Sequence, residues 1–107
     1  DKDANVRESV KKIGRAGEIM AIIVSKPNRD EMAGLNVFDW PIWEKEVSKF
    51  SWHYDDSETC FILEGKARVT AGNETVTFEA GDLVVFPKGL DCVWEVIEPV
   101  KKHYRFG

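Results

Sequence analysis

A chain of 107 residues is the size of one domain, and 43% apolar with 32% charged residues suits a globular protein with a single core. A formal net charge of −4 without a basic stripe argues against a nucleic-acid partner. The longest apolar run, six residues from Ile19 to Val24, is far below the ~20 needed by a membrane-spanning helix, so no membrane partner is expected.

Residues 1–17 are polar and are predicted as a tail, loosely held or carrying one short helix. Such a helix would be capped by Asn5, with Val6, Val10 and Ile13 on one face and Gly14 at its end. Residues 18–107 are predicted as the domain proper. IMAIIV (19–24) reads as a strand ending at Pro27, and RDEMAGL (29–35) as one or two helical turns. WPIW (40–43) is an extended aromatic connector, because Pro41 biases Trp40 away from helix.

From Glu46 onward the text is strand and turn. VSKFSWHY (47–54) alternates, with Ser51 and His53 on one side and Phe50, Trp52 and Tyr54 on the other. TCFIL (59–63) and KARVT (66–70) flank Gly65, and TVTFEA (75–80) ends at Gly81. LVVF (83–86) stops at Pro87-Lys88-Gly89, CVWEVIE (92–98) stops at Pro99, and KKHYRF (101–106) finishes the chain. Short strands at this spacing with glycine turns indicate an all-β sandwich or barrel. Two cysteines are too few for a disulfide scaffold, so a reducing compartment, cytoplasmic or organellar, is expected; a targeting segment ahead of Asp1 would not be visible.

Two glycine-bearing stretches carry a resemblance. His53, four residues, Glu58, six residues and Gly65 match the second half of the first cupin motif, G-x5-H-x-H-x(3,4)-E-x6-G. Gly81, five residues, Pro87-Lys88-Gly89, two residues and Cys92 match the second motif, G-x5-P-x-G-x2-H-x3-N, up to its histidine. The sequence therefore resembles the small single-domain cupins, RmlC-like jelly rolls, over about residues 18–106. Its PKG-x2-C-x-W segment is similar to the group that includes the cupin domain of ureidoglycine aminohydrolase. The resemblance implies an all-β jelly-roll β-barrel, a homodimer, and a cavity that holds a divalent metal on histidines and a glutamate. The chain departs from that pattern where Ser51 stands for the first histidine, Cys92 for the second-motif histidine, and Val96 for the asparagine.

Strand alternation then places candidates. Glu58, Cys60 and Ile62 share one face, Cys92, Trp94 and Val96 another, and Ser51 and His53 a third. Convergence of Ser51, His53, Glu58, Cys60 and Cys92 on one cavity would offer a carboxylate, an imidazole and one or two thiols. His53, Glu58 and Cys92 are the candidate ligands for one divalent metal: zinc by donor type, with iron, manganese and nickel as alternatives. A metal-free site is the other possibility, with Glu58 and His53 as the acid–base pair. Ser51, Cys60 and Trp94 are expected to line the pocket. The bland reading of the same residues is a rim histidine, cysteines packed as small hydrophobes, and tryptophans that fill the core. Glu58 resists that reading, because a buried carboxylate must find a partner or hold an ion. If Tyr104 and Phe106 face inward, His103 does not face the cavity.

These observations predict a cupin of unproven activity that binds a small molecule, with or without a metal, around Glu58. The alternative is a metal-dependent small-molecule enzyme resembling the ureidoglycine aminohydrolase cupins; whether the chain is an enzyme at all stays open.

Overall fold

The computed structural model describes residues 6–13 and 19–107, with side chains from residue 22 onward. In chain order the elements are β1 (Val6–Ile13), β2 (Ile19–Ser25), α1 (Arg29–Leu35), a 3-10 turn (Val37–Asp39), β3 (Ile42–Lys45), β4 (Ser48–His53), β5 (Glu58–Ala71), β6 (Glu74–Glu79), β7 (Leu83–Phe86) and β8 (Asp91–Phe106). Among the described residues no helix is long and apolar enough to cross a membrane.

The long strands β5 and β8 organise the rest. They pair antiparallel along most of their length, from Glu58 opposite Phe106 to Thr70 opposite Val93. The first half of β5 also pairs with β7 and the second half with β6. The first half of β8 pairs with β4, the second with β3. Each long strand thus belongs to two layers: one ordered β1-β2-β7-β5-β8-β3, the other formed by β6, β5, β8 and β4. This is a jelly roll, and alternate residues of each strand fill the space between its layers. Val76 and Phe78, Val84 and Phe86, and Trp94 and Val96 are all buried.

The crossing from one layer to the other explains why β5 and β8 each run through a sequence break. The register between them is irregular around Glu64 and Lys66. Gly65 sits at that point with φ +93°, and a Cβ there would come within 2.0 Å of the Pro99 carbonyl oxygen. Proline lacks an N–H and is tolerated where a ladder is already broken. Gly65 and Pro99 therefore bend the two strands together, and TCFIL joins KARVT, and CVWEVIE joins KKHYRF.

At the N-terminus a strand stands where a loosely held tail or one short helix is expected. Val6–Ile13 pairs antiparallel with β2, from Val6 opposite Ser25 to Ile13 opposite Ile19. Pairing satisfies the backbone groups on the open edge of β2, whereas valine and isoleucine favour helix only weakly. The cap Asn5 and the stop Gly14 lie outside the described residues. The short helix α1 forms where expected. Its start is a capping box: the Asn28 side chain accepts from the Glu31 N–H at 2.9 Å, and the Glu31 carboxylate accepts from the Asn28 N–H at 3.0 Å.

Gly65→Ala is expected to destabilise the fold by about 3 kcal/mol or more, from positive-φ strain and the clash with Pro99 together. Chemical denaturation would show this as a lower midpoint at unchanged slope. A near-neutral effect would mean that the two strands can separate at the bend.

Candidate functional site

Glu58 opens β5 with its side chain turned inward, and only 3% of the residue is exposed. A carboxylate at that depth needs hydrogen bonds and a counter-charge. It has both. Tyr54 Oη donates to Oε1 at 2.8 Å, and Lys102 Nζ donates to Oε2 at 2.8 Å. Lys102 is equally deep, 5% exposed, on the inward side of β8. Its ammonium lies 4.5 Å from the ring centre of Trp94 and 4.7 Å from that of Trp43, so two π faces supplement the ion pair. Trp94 Nε1–H donates to Tyr54 Oη at 3.2 Å, which completes the chain Trp94–Tyr54–Glu58–Lys102.

The backbone holds this network in place. The Tyr54 N–H donates to the Leu90 carbonyl at 2.9 Å, and the Gly89 N–H donates to the Tyr54 carbonyl at 2.7 Å. The Pro87-Lys88-Gly89 turn therefore clamps the end of β4. The Tyr54 ring stacks on Phe86 at 4.8 Å, nearly parallel. Burial, and then the Glu58 charge, push the Tyr54 phenol far above its ordinary range, so it stays a proton donor to Glu58.

Above the pair lies a cavity of about 190 Å³ lined by Trp43, Phe50, Trp52, Tyr54, Glu58, Trp94, Lys102, Tyr104 and Phe106. Trp52 and Phe106 are about half exposed, and the deepest lining groups are Tyr54, Glu58, Trp94 and Lys102. Phe50 stacks on Trp94, and Trp43 meets both of them edge-on.

The predicted residues separate into two places. Glu58 and Trp94 line the cavity. Cys60 is fully buried and outside the lining. Burial is the main cause that pushes its thiol up to about 12, with Lys102 opposing and Glu58 adding; it remains a thiol at neutral pH. Ser51, His53 and Cys92 line a separate shallow groove together with Asp91 and Thr70. His53 points away from Glu58, with its side chain 51% exposed and Nδ1 2.7 Å from Asp91 Oδ1. The Cys92 Sγ–H donates to the Trp52 carbonyl at 3.6 Å. The expected convergence of Ser51, His53 and Cys92 with Glu58 is thus corrected. For Ser51 and His53 the cause is strand parity: Phe50, Trp52 and Tyr54 take the cavity face of β4, which sends those two to the other. Cys92 stays inward, opposite Trp52, buried in the core away from the cavity lining.

A divalent metal does not fit this arrangement. Among the described residues no three of His, Cys, Asp and Glu gather as a metal-holding group. The cationic position beside Glu58 is filled by the Lys102 ammonium. Two further residues that line the cavity, Lys102 and Tyr54, are absent from the motif-based set. Alternation carried the signal: Lys102 is in phase with Tyr104 and Phe106, and Tyr54 with Phe50 and Trp52.

Glu58→Gln or Lys102→Met alone is expected to cost about 3–5 kcal/mol, because each leaves a buried charge uncompensated. The double variant should lose clearly less than the sum of the two. Urea denaturation of the four proteins gives the coupling; additive losses would mean that the two groups are not paired.

Comparison with known proteins places this geometry. A sequence model described as the EutQ-like cupin domain matches residues 32–104. The chain is similar to a DUF861 family protein of Thermotoga maritima, at 53% identity over 80% of this chain and 99% of that one, with a TM-score of 0.79. Two further structures share the fold alone. One is an ethanolamine utilization protein Q of Salmonella typhimurium: 15% identity, 94% of this chain and 95% of that one, TM-score 0.57. The other is a cupin-2 domain protein of Shewanella frigidimarina: 15% identity, 92% of this chain and 80% of that one, TM-score 0.51. No protein of curated function matches the chain.

Proposed function

The chain belongs to the family of EutQ-like cupin domains, and from that premise we propose that it is a small-molecule-binding cupin whose ligand sits in the aromatic cavity on the Glu58–Lys102 pair. One observation carries the reading: a buried ion pair forms the floor of an open cavity. Such a pair is a poor device for stability alone, since well-packed apolar residues often serve as well or better. A mostly apolar pocket with a few convergent polar groups is the usual form of a ligand site. Tyr54 and Trp94 hold both charges in one orientation, which favours recognition of a ligand's polar edge.

The metal-dependent alternative, an enzyme resembling the ureidoglycine aminohydrolase cupins, draws no support from this donor set. Proton transfer at a bound ligand would fall to Glu58 and Lys102, with His53 too far round the barrel wall to act with them.

A fragment screen read by indole N–H chemical shifts tests the reading. Binders are expected to move the signals of Trp43, Trp52 and Trp94 and to leave Trp40, which lies under Arg105 outside the cavity. Binding should persist after dialysis against a chelator. Hits that move only Trp40, or none at all, would remove the proposal, and loss of binding in chelator would revive the metal-dependent alternative.

We also propose a homodimer through the outer face of the larger layer. Phe38 there is 62% exposed over Phe61 and His103, and Ile42 and Ile23 on the strands of the same layer are exposed as well. Light scattering should give twice the 12.2 kDa of one chain, and Phe38→Glu should halve it; a monomer at every concentration would sink the idea.

A further inference from the structure

The charges at the cavity floor fix what kind of molecule the site accepts. Of the described residues lining the cavity, only Glu58 and Lys102 carry charge. They are 2.8 Å apart and cancel each other. A ligand carboxylate drawn to the Lys102 ammonium would come up against the Glu58 carboxylate on the same nitrogen. A ligand ammonium drawn to Glu58 would meet Lys102 in the same way. Either ion would lose its hydration without gaining an unopposed partner.

The pair still has hydrogen-bonding capacity. An ammonium has three N–H donors, and one of those on Lys102 goes to Glu58. Each carboxylate oxygen of Glu58 accepts one hydrogen bond, from Tyr54 or from Lys102, and keeps a further acceptor site. The floor therefore offers a donor and an acceptor side by side. That is the complement of a group that carries a carbonyl oxygen next to an N–H.

The walls add the shape. Trp43, Phe50 and Trp94 are ring faces and edges, which favour a flat molecule. A volume of about 190 Å³ lies below the ~300–1,000 Å³ of drug-sized pockets and suits a single ring or its equivalent.

We propose, resting on the binding function above, that the site selects small, planar, uncharged ligands with an amide-type edge, the carbonyl oxygen on Lys102 and the N–H on Glu58. Lys102 thereby takes the electrostatic place that a metal cation takes beside a carboxylate, and the floor it leaves is neutral.

Three probes of one size test this: benzamide, benzoate and benzylammonium, titrated against tryptophan fluorescence at neutral pH. Benzamide is expected to bind at least tenfold more tightly than either ion. Glu58→Gln should shift the preference toward benzoate by tenfold or more, and Lys102→Met toward benzylammonium. Because those variants are less stable, the wild-type ranking decides by itself. An ion binding as well as benzamide overturns the charge selection and leaves the pocket proposal standing. None of the three binding, while other fragments move the cavity tryptophans, overturns the amide class. Silence from both the probes and the fragments overturns the binding function on which the inference rests.

Discussion

The ion pair between Glu58 and Lys102 is the constraint around which the site is arranged. Two charges buried to this depth hold together only if every neighbouring element keeps its place. Glu58 starts β5, and Lys102 lies near the far end of β8, opposite Ile62 on one side and Trp43 on the other. The pair therefore exists only when β3, β5 and β8 are in register. Tyr54 adds the loop between β4 and β5, and its backbone is bonded in turn to the Gly89 turn. A one-residue slip in any of these would turn a charge outward and leave its partner alone.

Site and core share their central residue. Trp94 packs against Trp43, Phe50, Phe78 and Phe86, and its indole N–H closes the polar chain on Tyr54. The polar groups that face the cavity are therefore braced by the same rings that hold the two layers apart. Each polar member of the chain meets a definite partner, which limits rearrangement on binding and favours a preformed pocket. The stored constraint at Gly65 and Pro99 has the same purpose at the other end of the strands, since it lets β5 and β8 pass from layer to layer without losing their pairing.

Motif spacing and strand parity gave conflicting advice about the metal segment, and parity was the better guide. SWHYDDSETCFILEG keeps the histidine and glutamate at the spacing of a metal site, which suggested that His53 and Glu58 point together. Yet the same stretch carries Phe50, Trp52 and Tyr54 in strict alternation, and burying aromatic rings outweighs turning one imidazole inward. With Ser51 and His53 on the outer side and Cys92 buried in the core away from the cavity lining, the carboxylate takes its partner from elsewhere in the chain. Likeness to the Thermotoga maritima protein at 53% identity supports the architecture; the more distant structures share the fold and leave the chemistry to these particular side chains.

Local and pattern-borne features are legible from the residues alone: the all-β class, the glycine turns, the short helix over 29–35, and the need of a buried Glu58 for a counter-charge. Alternation even placed Lys102 in phase with Tyr104 and Phe106. Which distant residues meet depends on the folded sheets. Glu58 and Lys102 are 44 positions apart, and no local rule links them. Their encounter depends on the register of β5 against β8, set where Gly65 passes Pro99. The segment from Val6 to Ile13 follows the same rule: read alone it is a polar tail or a short helix, and the open edge of β2 supplies the backbone partners that make it a strand.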